Sequence, residues 1–272
     1  MRYLSEHAAK GLFAICIVAA FTCDLRADPT AFVGYKGGSF GTIDLTTGAL
    51  TSLGNLGQTP AGLGVFNGTL YATSYNNNGT LYSVNTSNGA LTAIGNSGIY
   101  FEGGFGSTLT GLYGVGYASG GSTLDLFSIN PSNGSATDIG STGLSLGAWR
   151  DISTNSSTLY FGDGTSLYSL NLANGSASLI GAFGGSAQMG SLVTIGSTLY
   201  GADDVGGQID TINSITGAAT AGSPSGGSVW GLAPDPLTTS ASTPEPATWS
   251  LLGAAFCLLA FGRRSLTRAS QR

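Results

Sequence analysis

The chain has 272 residues, 42% hydrophobic and only 8% charged, with a formal charge of −5. That balance excludes a charge-driven disordered chain and leaves enough apolar material for a sizeable packed core. Its 45 glycines follow no Gly-X-Y period, which excludes a collagen; with many Ser, Thr and Asn they fit a turn-rich all-β protein.

Cysteine and histidine narrow the chemistry. Cys16 and Cys23 lie in an apolar N-terminal segment, Cys257 in an apolar C-terminal one, and the only histidine is His7. The stretch between the two ends therefore has no residues for a disulfide, a zinc site, a Cys-His dyad or a Ser-His-Asp triad. It must be held by its core alone. Seven of the nine basic residues flank the two ends, leaving Lys36 and Arg150 in an otherwise acidic body. Such a surface repels nucleic acid and anionic lipid.

In chain order, residues 1–27 join a basic start (Arg2, Lys10) to an apolar run, Gly11 to Phe21, with a small-residue cut after Ala27. This reads as a cleaved secretory signal peptide, because the run is too short to span about 30 Å of hydrocarbon. A lipoprotein cut before Cys23 fits less well, since Thr22 replaces the usual Gly or Ala.

Residues 28–236 repeat. Leu81-Tyr82-Ser83-Val84-Asn85 runs through Gly89 into Leu91-Thr92-Ala93-Ile94-Gly95, and the unit returns at Leu126 to Gly134, Leu167 to Gly175 and Ile209 to Gly217, with Asp44 to Gly48 as the first copy. In all five, Asn or Asp precedes Gly by four residues, and those glycines are spaced by 41, 45, 41 and 42. The pattern predicts a hairpin: the Asn or Asp side chain folds onto the turn backbone and Gly supplies a positive φ. Upstream of four of the hairpins sits a tyrosine strand (Leu70-Tyr71, Leu112-Tyr113, Leu159-Tyr160, Leu199-Tyr200), preceded by a shorter strand such as Gly62-Leu63-Gly64-Val65.

Four strands in about 42 residues make a propeller blade, so the expectation is a five-bladed β-propeller, with an open β-solenoid as the alternative. The body begins at Ala31 to Tyr35, a second strand whose first strand is missing. Ser228 to Ala233 matches a first strand with nothing after it. The C-terminal strand is thus expected to complete the N-terminal blade and hide both edges. The hairpins resemble those of the quinoprotein-like bacterial propeller repeats, which run Leu-Tyr-x-Val-Asp-x-x-Thr-Gly. Leu50, Leu91, Ala136 and Leu179 lie near the place where those proteins carry a docking tryptophan, so the resemblance implies the blade and no cofactor.

A polar linker, residues 237–243, leads to Pro244-Glu245-Pro246-Ala247-Thr248-Trp249. A sixteen-residue apolar run, Ala247 to Gly262, precedes Arg263-Arg264 and a basic tail over 265–272. The run predicts a single apolar helix, Trp249 an interfacial aromatic and the arginines a cytoplasmic stop. A Pro-Glu-Pro motif, an apolar helix and an arginine cluster over residues 244–264 resemble the PEP-CTERM sorting signal, also catalogued as the ice-binding protein C-terminal domain. The resemblance implies an exosortase-type membrane peptidase as partner and at least transient membrane contact. It also implies export to the outer surface or polysaccharide matrix of a Gram-negative biofilm. A plain anchor helix is the alternative.

Within the body, aligning first strands puts Pro60, Glu102, Trp149, Arg150, Asp151, Gln188 and Trp230 near one mouth of the central channel. Glu102, Trp149, Arg150, Gln188 and Trp230 are the candidate ligand residues, through stacking and bidentate hydrogen bonds. The competing reading packs Trp149 and Trp230 in the core and pairs Arg150 with a carboxylate. Asp163 and Asp203-Asp204 offer oxygen ligands, but their spacing matches no calcium loop and no metal site is assigned. The leading expectation is a non-enzymatic binding or structural propeller. The alternative is a secreted glycan hydrolase or lyase using Glu102 and Asp151 as paired carboxylates. Ice binding would need a flat, regular Thr array, and the threonines do not recur at one fixed repeat position.

Overall fold

The computed structural model describes residues 28–74, 79–101, 104–118, 123–145, 151–155 and 158–235. The expected signal peptide, linker and sorting tail lie outside these residues. So do Glu102, Trp149 and Arg150.

Alternating apolar residues and Asx turns produce five antiparallel sheets, each a blade. The first comprises β1 (Thr30–Tyr35), β2 (Ser39–Asp44) and β3 (Leu50–Asn55); the second, β4 (Pro60–Phe66), β5 (Thr69–Ser74), β6 (Thr80–Val84) and β7 (Leu91–Asn96). The third has a divided inner edge, β8 (Ile99–Tyr100) and β9 (Phe105–Ser107), against β10 (Leu112–Ala118), then β11 (Asp125–Ile129) and β12 (Ala136–Ser141). The fourth is β13 (Asp151–Asn155), β14 (Thr158–Gly162), β15 (Ser166–Leu170) and β16 (Ala177–Ala182). The fifth is β17 (Met189–Ile195), β18 (Thr198–Asp203), β19 (Gln208–Ile212) and β20 (Ala219–Pro224). Strand β21 (Val229–Pro234) returns to pair with β1, Ala31 opposite Pro234 and Val33 opposite Leu232, and completes the first blade as expected.

Closure is visible at three radii. Around the axis β21 lies beside β4, β4 beside β9, β9 beside β13, β13 beside β17, and β17 beside β21. Further out, each seam holds its own apolar cluster. The seam between the fifth and first blades packs Val193, Ala202 and Ile209 against Ala31, Val33, Ile43 and Val229; the others run through the remaining four blade pairs. At the rim, the hairpin of each blade rests on the outer strand of the one before it. A Cβ on Gly54, Gly95, Gly140 or Gly181 would overlap the carbonyl oxygen of Asn88, Asn133, Asn174 or Thr216. The closing seam repeats the contact: Gly48 lies against Pro224, and the Ser223 hydroxyl donates to the Thr46 carbonyl. The solenoid alternative is therefore excluded.

The hairpin turns form as the sequence predicts. Asp44 Oδ1 accepts the amides of Thr46 and Thr47 at 2.7 and 2.9 Å. Asn85, Asn130, Asn171 and Asn213 accept the amide two residues on at 2.8 to 2.9 Å. Gly89, at φ 78°, closes its turn by donating to the Asn85 carbonyl at 2.8 Å. Chain direction then defines two faces. These hairpins mark one, the hairpin face. The other, the loop face, carries the connections from second to third strands and from each outer strand to the next inner one, including 36–38, 56–59, 163–165, 183–188, 204–207 and 225–228.

One expectation is corrected. Thr51, Thr92, Thr137, Ser178 and Thr220 do occupy one fixed position, each exposed and directly opposite Thr42, Ser83, Ser128, Ser169 and Thr211 on the neighbouring strand. Each member lies three residues after its repeat glycine (Gly48, Gly89, Gly134, Gly175, Gly217), so the spacing carries the row and the third-to-fourth strand register agrees with it. Each member stands on the outer strand of a different blade, so the row runs around the propeller and is not the flat array that an ice surface would match.

Candidate functional site

The inner strands begin at the loop face, and a local irregularity shapes several of these starts. Register shifts leave Ala61, Gly190 and Trp230 as extra residues between Pro60 and Gly62, Met189 and Ser191, and Val229 and Gly231. A bulge bends its strand and re-aims a side chain, and it commonly marks a functional rim. Just inside the bulges, strand register aligns Gly62, Asp151, Ser191 and Gly231 as equivalent positions, since the residue after each lies opposite Ala72, Phe161, Gly201 and Val33.

Asp151 is the charged exception in that row, and it is 1% exposed. Its Oδ2 accepts the Ser191 hydroxyl at 2.8 Å and the Leu192 amide at 3.1 Å, joining the fourth blade to the fifth. Its Oδ1 faces Gly104 of the third blade, where a Cβ would come within 2.5 Å, and has no hydrogen-bond partner. Burial pushes the carboxyl up to about 8, against the lowering influence of the Leu192 amide, the Ser191 hydroxyl and the Ile152 and Phe105 amides. A raised carboxyl is the chemical trait of a general acid. Here it belongs to a group shut from solvent and spent on holding three inner strands together.

The consequence is a pH effect on stability. A carboxyl whose pKa is higher folded than unfolded favours the fold fully below the unfolded value, about 3.9, and loses that contribution as pH rises towards 8. Melting temperature should therefore fall between pH 5 and pH 8, with a slope from this group of at most about 1.4 kcal/mol per pH unit. Asp151→Asn keeps an oxygen for Ser191 and Leu192, and should flatten the profile and raise the melting temperature at pH 8. Burial also raises Asp204 and Asp210, so a shallower slope of the same sign should remain. An unchanged profile in the variant would refute the assignment.

A second cluster lies at the closing seam. Trp230 is half-buried, not in the core; its Nε1 donates to Ser228 Oγ at 3.0 Å, and Ser228 Oγ donates to Asp204 Oδ1 at 3.3 Å. Lys36 Nζ sits 6.0 Å from the indole centroid, the outer reach of a cation–π contact, and lowers the Asp204 carboxyl that burial raises. Gln188 joins through its backbone: its amide donates to Asp203 Oδ1 at 3.0 Å and its carbonyl accepts the Asp204 amide at 3.1 Å. Two candidates, Gln188 and Trp230, are thus tied to one acidic pair, which holds them as an aromatic surface beside hydroxyl and carboxylate groups. Pro60 and Asp151 begin inner strands at the same loop face. Lys36, Ser228 and the acidic pair were not among the ligand residues expected from sequence. The available signal was Lys36 as one of two body cations, one residue past the strand that β21 completes.

Asp163 and Asp203 serve turns. Asp163 Oδ1 accepts the Thr165 and Ser166 amides at 3.0 and 2.8 Å, while its Oδ2 accepts the Tyr168 hydroxyl at 2.9 Å. Asp203 Oδ1 also accepts the Val205 amide at 3.0 Å. The axial channel between Leu63, Gly106, Ile152, Leu192 and Leu232 keeps a void of about 10 Å³, the size of a single water.

No protein-family model matches the chain, and no curated protein matches it. Among solved structures it is similar to a chain of the nidogen/laminin complex, at TM-score 0.50 and 12% identity, over 75% of this chain and 97% of that one. At that identity the likeness shows the fold alone.

Proposed function

We propose that the chain is an exported, non-enzymatic β-propeller of a bacterial envelope or extracellular matrix, sorted by its tail and used as a binding or structural surface. The observation that carries the non-enzymatic part is the structural use of three carboxylates near the loop face, Asp151, Asp163 and Asp203. Asp151 joins blades, while Asp163 and Asp203 hold turns. The half-buried Trp230 beside Ser228, Lys36 and Asp204 suits a hydroxyl-rich ligand such as an exopolysaccharide, by stacking and hydrogen bonding. A chain of similar fold occurs in the nidogen/laminin complex, in keeping with a role in an assembly.

Residues 244–264 supply the address: Pro244, Glu245, Pro246 and Trp249, an apolar run, then Arg263 and Arg264. In a host with an exosortase, the wild-type chain should reach the outer surface or matrix in shortened form. Replacing Pro244, Glu245 and Pro246 by Ala should leave full-length chain in the inner membrane. Identical fractionation and length for both would sink the sorting reading.

A further inference from the structure

Four Asn-Gly pairs lie wholly within the described residues, and three of them are locked. Asn88-Gly89, Asn133-Gly134 and Asn174-Gly175 close rim hairpins. In each, the glycine amide donates to the carbonyl of the turn's first asparagine (Asn85, Asn130 or Asn171) at 2.8 Å, and the Asn side-chain oxygen accepts the amide two residues on at 2.9 to 3.1 Å. Each of these glycines is buried, and each Asn carbonyl rests on Gly54, Gly95 or Gly140 of the preceding blade. Asn67-Gly68 is the exception. It forms the two-residue turn between β4 and β5, both residues exposed, with Phe66 paired to Thr69 beneath it. Asn67 stands at φ 49°, the sole non-glycine at positive φ among the described residues, and Gly68 at φ 74°, the signature of a type I′ turn. Among the described residues neither the Asn67 side chain nor the Gly68 amide takes part in a hydrogen bond, and nothing lies within 4 Å of a would-be Cβ on Gly68.

From this contrast we infer that Asn67 is a site of spontaneous covalent modification, where the folded chain is converted to aspartate and isoaspartate with water as co-reactant. The Gly68 amide nitrogen gives up its proton to hydroxide and attacks the side-chain carbonyl carbon of Asn67. A C–N bond forms, the bond to the side-chain nitrogen breaks, and that nitrogen leaves as ammonia, taking a proton from water and restoring the hydroxide. Water then opens the five-membered succinimide at either carbonyl, leaving Asp or, with the backbone rerouted through the side chain, isoAsp. Glycine suits the nucleophile because no side chain hinders the attack. The turn makes the step accessible. Ring closure needs an Asn ψ of about −120°, the value at the first central position of a type II′ turn. Types I′ and II′ share the positive φ that Asn67 already has, and Gly68 accepts either sign, so one flip of the peptide plane between them reaches the reactive geometry. At the rim the same flip would swing the Asn carbonyl off the preceding blade and break the bond of the glycine amide. Each converted copy gains one negative charge, and isoaspartate adds a backbone carbon to the turn of a hairpin whose β4 packs between β21 and β9 in the axial ring.

The test follows the four pairs side by side. The full chain is incubated folded at pH 8, sampled over time and digested with pepsin in acid, which halts the reaction. Mass spectrometry reads conversion of amide to acid in each peptide, and labelling by an isoaspartyl methyltransferase reads isoAsp. Asn67 should convert at least about tenfold faster than Asn88, Asn133 and Asn174, which react only when their hairpins open locally. The same chain incubated in urea supplies the reference: with the turns gone, the four rates should agree within about threefold. Rim asparagines that keep pace with Asn67 in the folded chain overturn the inference. So does an Asn67 that stays intact in the folded chain while all four react in urea.

Discussion

A chain that ends after Gly227 should fail to fold, whereas one that ends after Asp235 should melt as a cooperative propeller. The eight residues between the two endpoints hold all of β21, whose Val229, Leu232 and Ala233 are at most 2% exposed. Burying the two larger of these side chains is worth about 5 kcal/mol. That is comparable with the whole stability of many domains, about 5 to 15 kcal/mol. The loss does not stop there. Without β21 the inner ring opens between β4 and β17, the closing cluster loses Val229 and Leu232, and β1 becomes an exposed apolar edge. Far-UV circular dichroism, thermal melting and limited proteolysis compare the two chains. Adding a peptide of residues 226–237 in trans should restore protection to the shorter one, since a ligand of the native state stabilises it by mass action. A shorter chain melting within about 5 °C of the longer one would show that the fifth seam does not need its strand.

That expectation could be drawn from sequence because strand completion is a counting argument: a second strand with no first at one end, a first with no second at the other. The hairpins were equally legible, since an Asx turn needs only Asn or Asp and a Gly at fixed spacing, and Asn85 with Gly89 shows the geometry in full. The candidate site was legible only in part. Gln188 and Trp230 do begin inner strands on one face, as alignment suggested. Their partners are set by pairing between neighbouring strands, Asp203 beside Gln188 in the fifth blade and Lys36 beside Trp230 in the first, and by the Ser228 to Asp204 bond across the seam between these blades, and no spacing encodes those contacts. Asp151 is a related case. A carboxylate at a channel mouth reads as available chemistry, and only the hydroxyl of Ser191, forty residues on, shows it to be a bond between blades. The row at Thr51 and its equivalents was legible too, three residues after each repeat glycine, but Ser178 breaks it for a search by threonine alone.

Gly95→Ala should cost about 3 kcal/mol or more, although it adds one methyl group at a position of ordinary negative-φ strand backbone. Strand propensity offers no reason for the loss, since replacing Gly by Ala within regular structure normally helps by up to about 1 kcal/mol. The reason is the rim. Gly95 lies under the Asn133 carbonyl of the next blade's hairpin, and the oxygen is backbone, which cannot swing aside as a side chain would. Either the third blade's hairpin lifts or the seam beneath Ile94 and Ala136 loosens. A control separates crowding from conformation: Gly37 has φ of 87° with nothing within 4 Å of its would-be Cβ, so Gly37→Ala should cost only about 1 kcal/mol. Denaturant melts of both variants at one pH measure the difference. Equal costs would mean that the hairpins merely touch the rim, and that the five apolar seams alone hold the blades in register. The expected inequality instead makes the rim glycines, at 54, 95, 140 and 181, a second closure device alongside the axial ring. Ser223 then marks where closure differs, because at the last seam a side-chain hydroxyl bonded to the Thr46 carbonyl takes the place of the bare glycine contact.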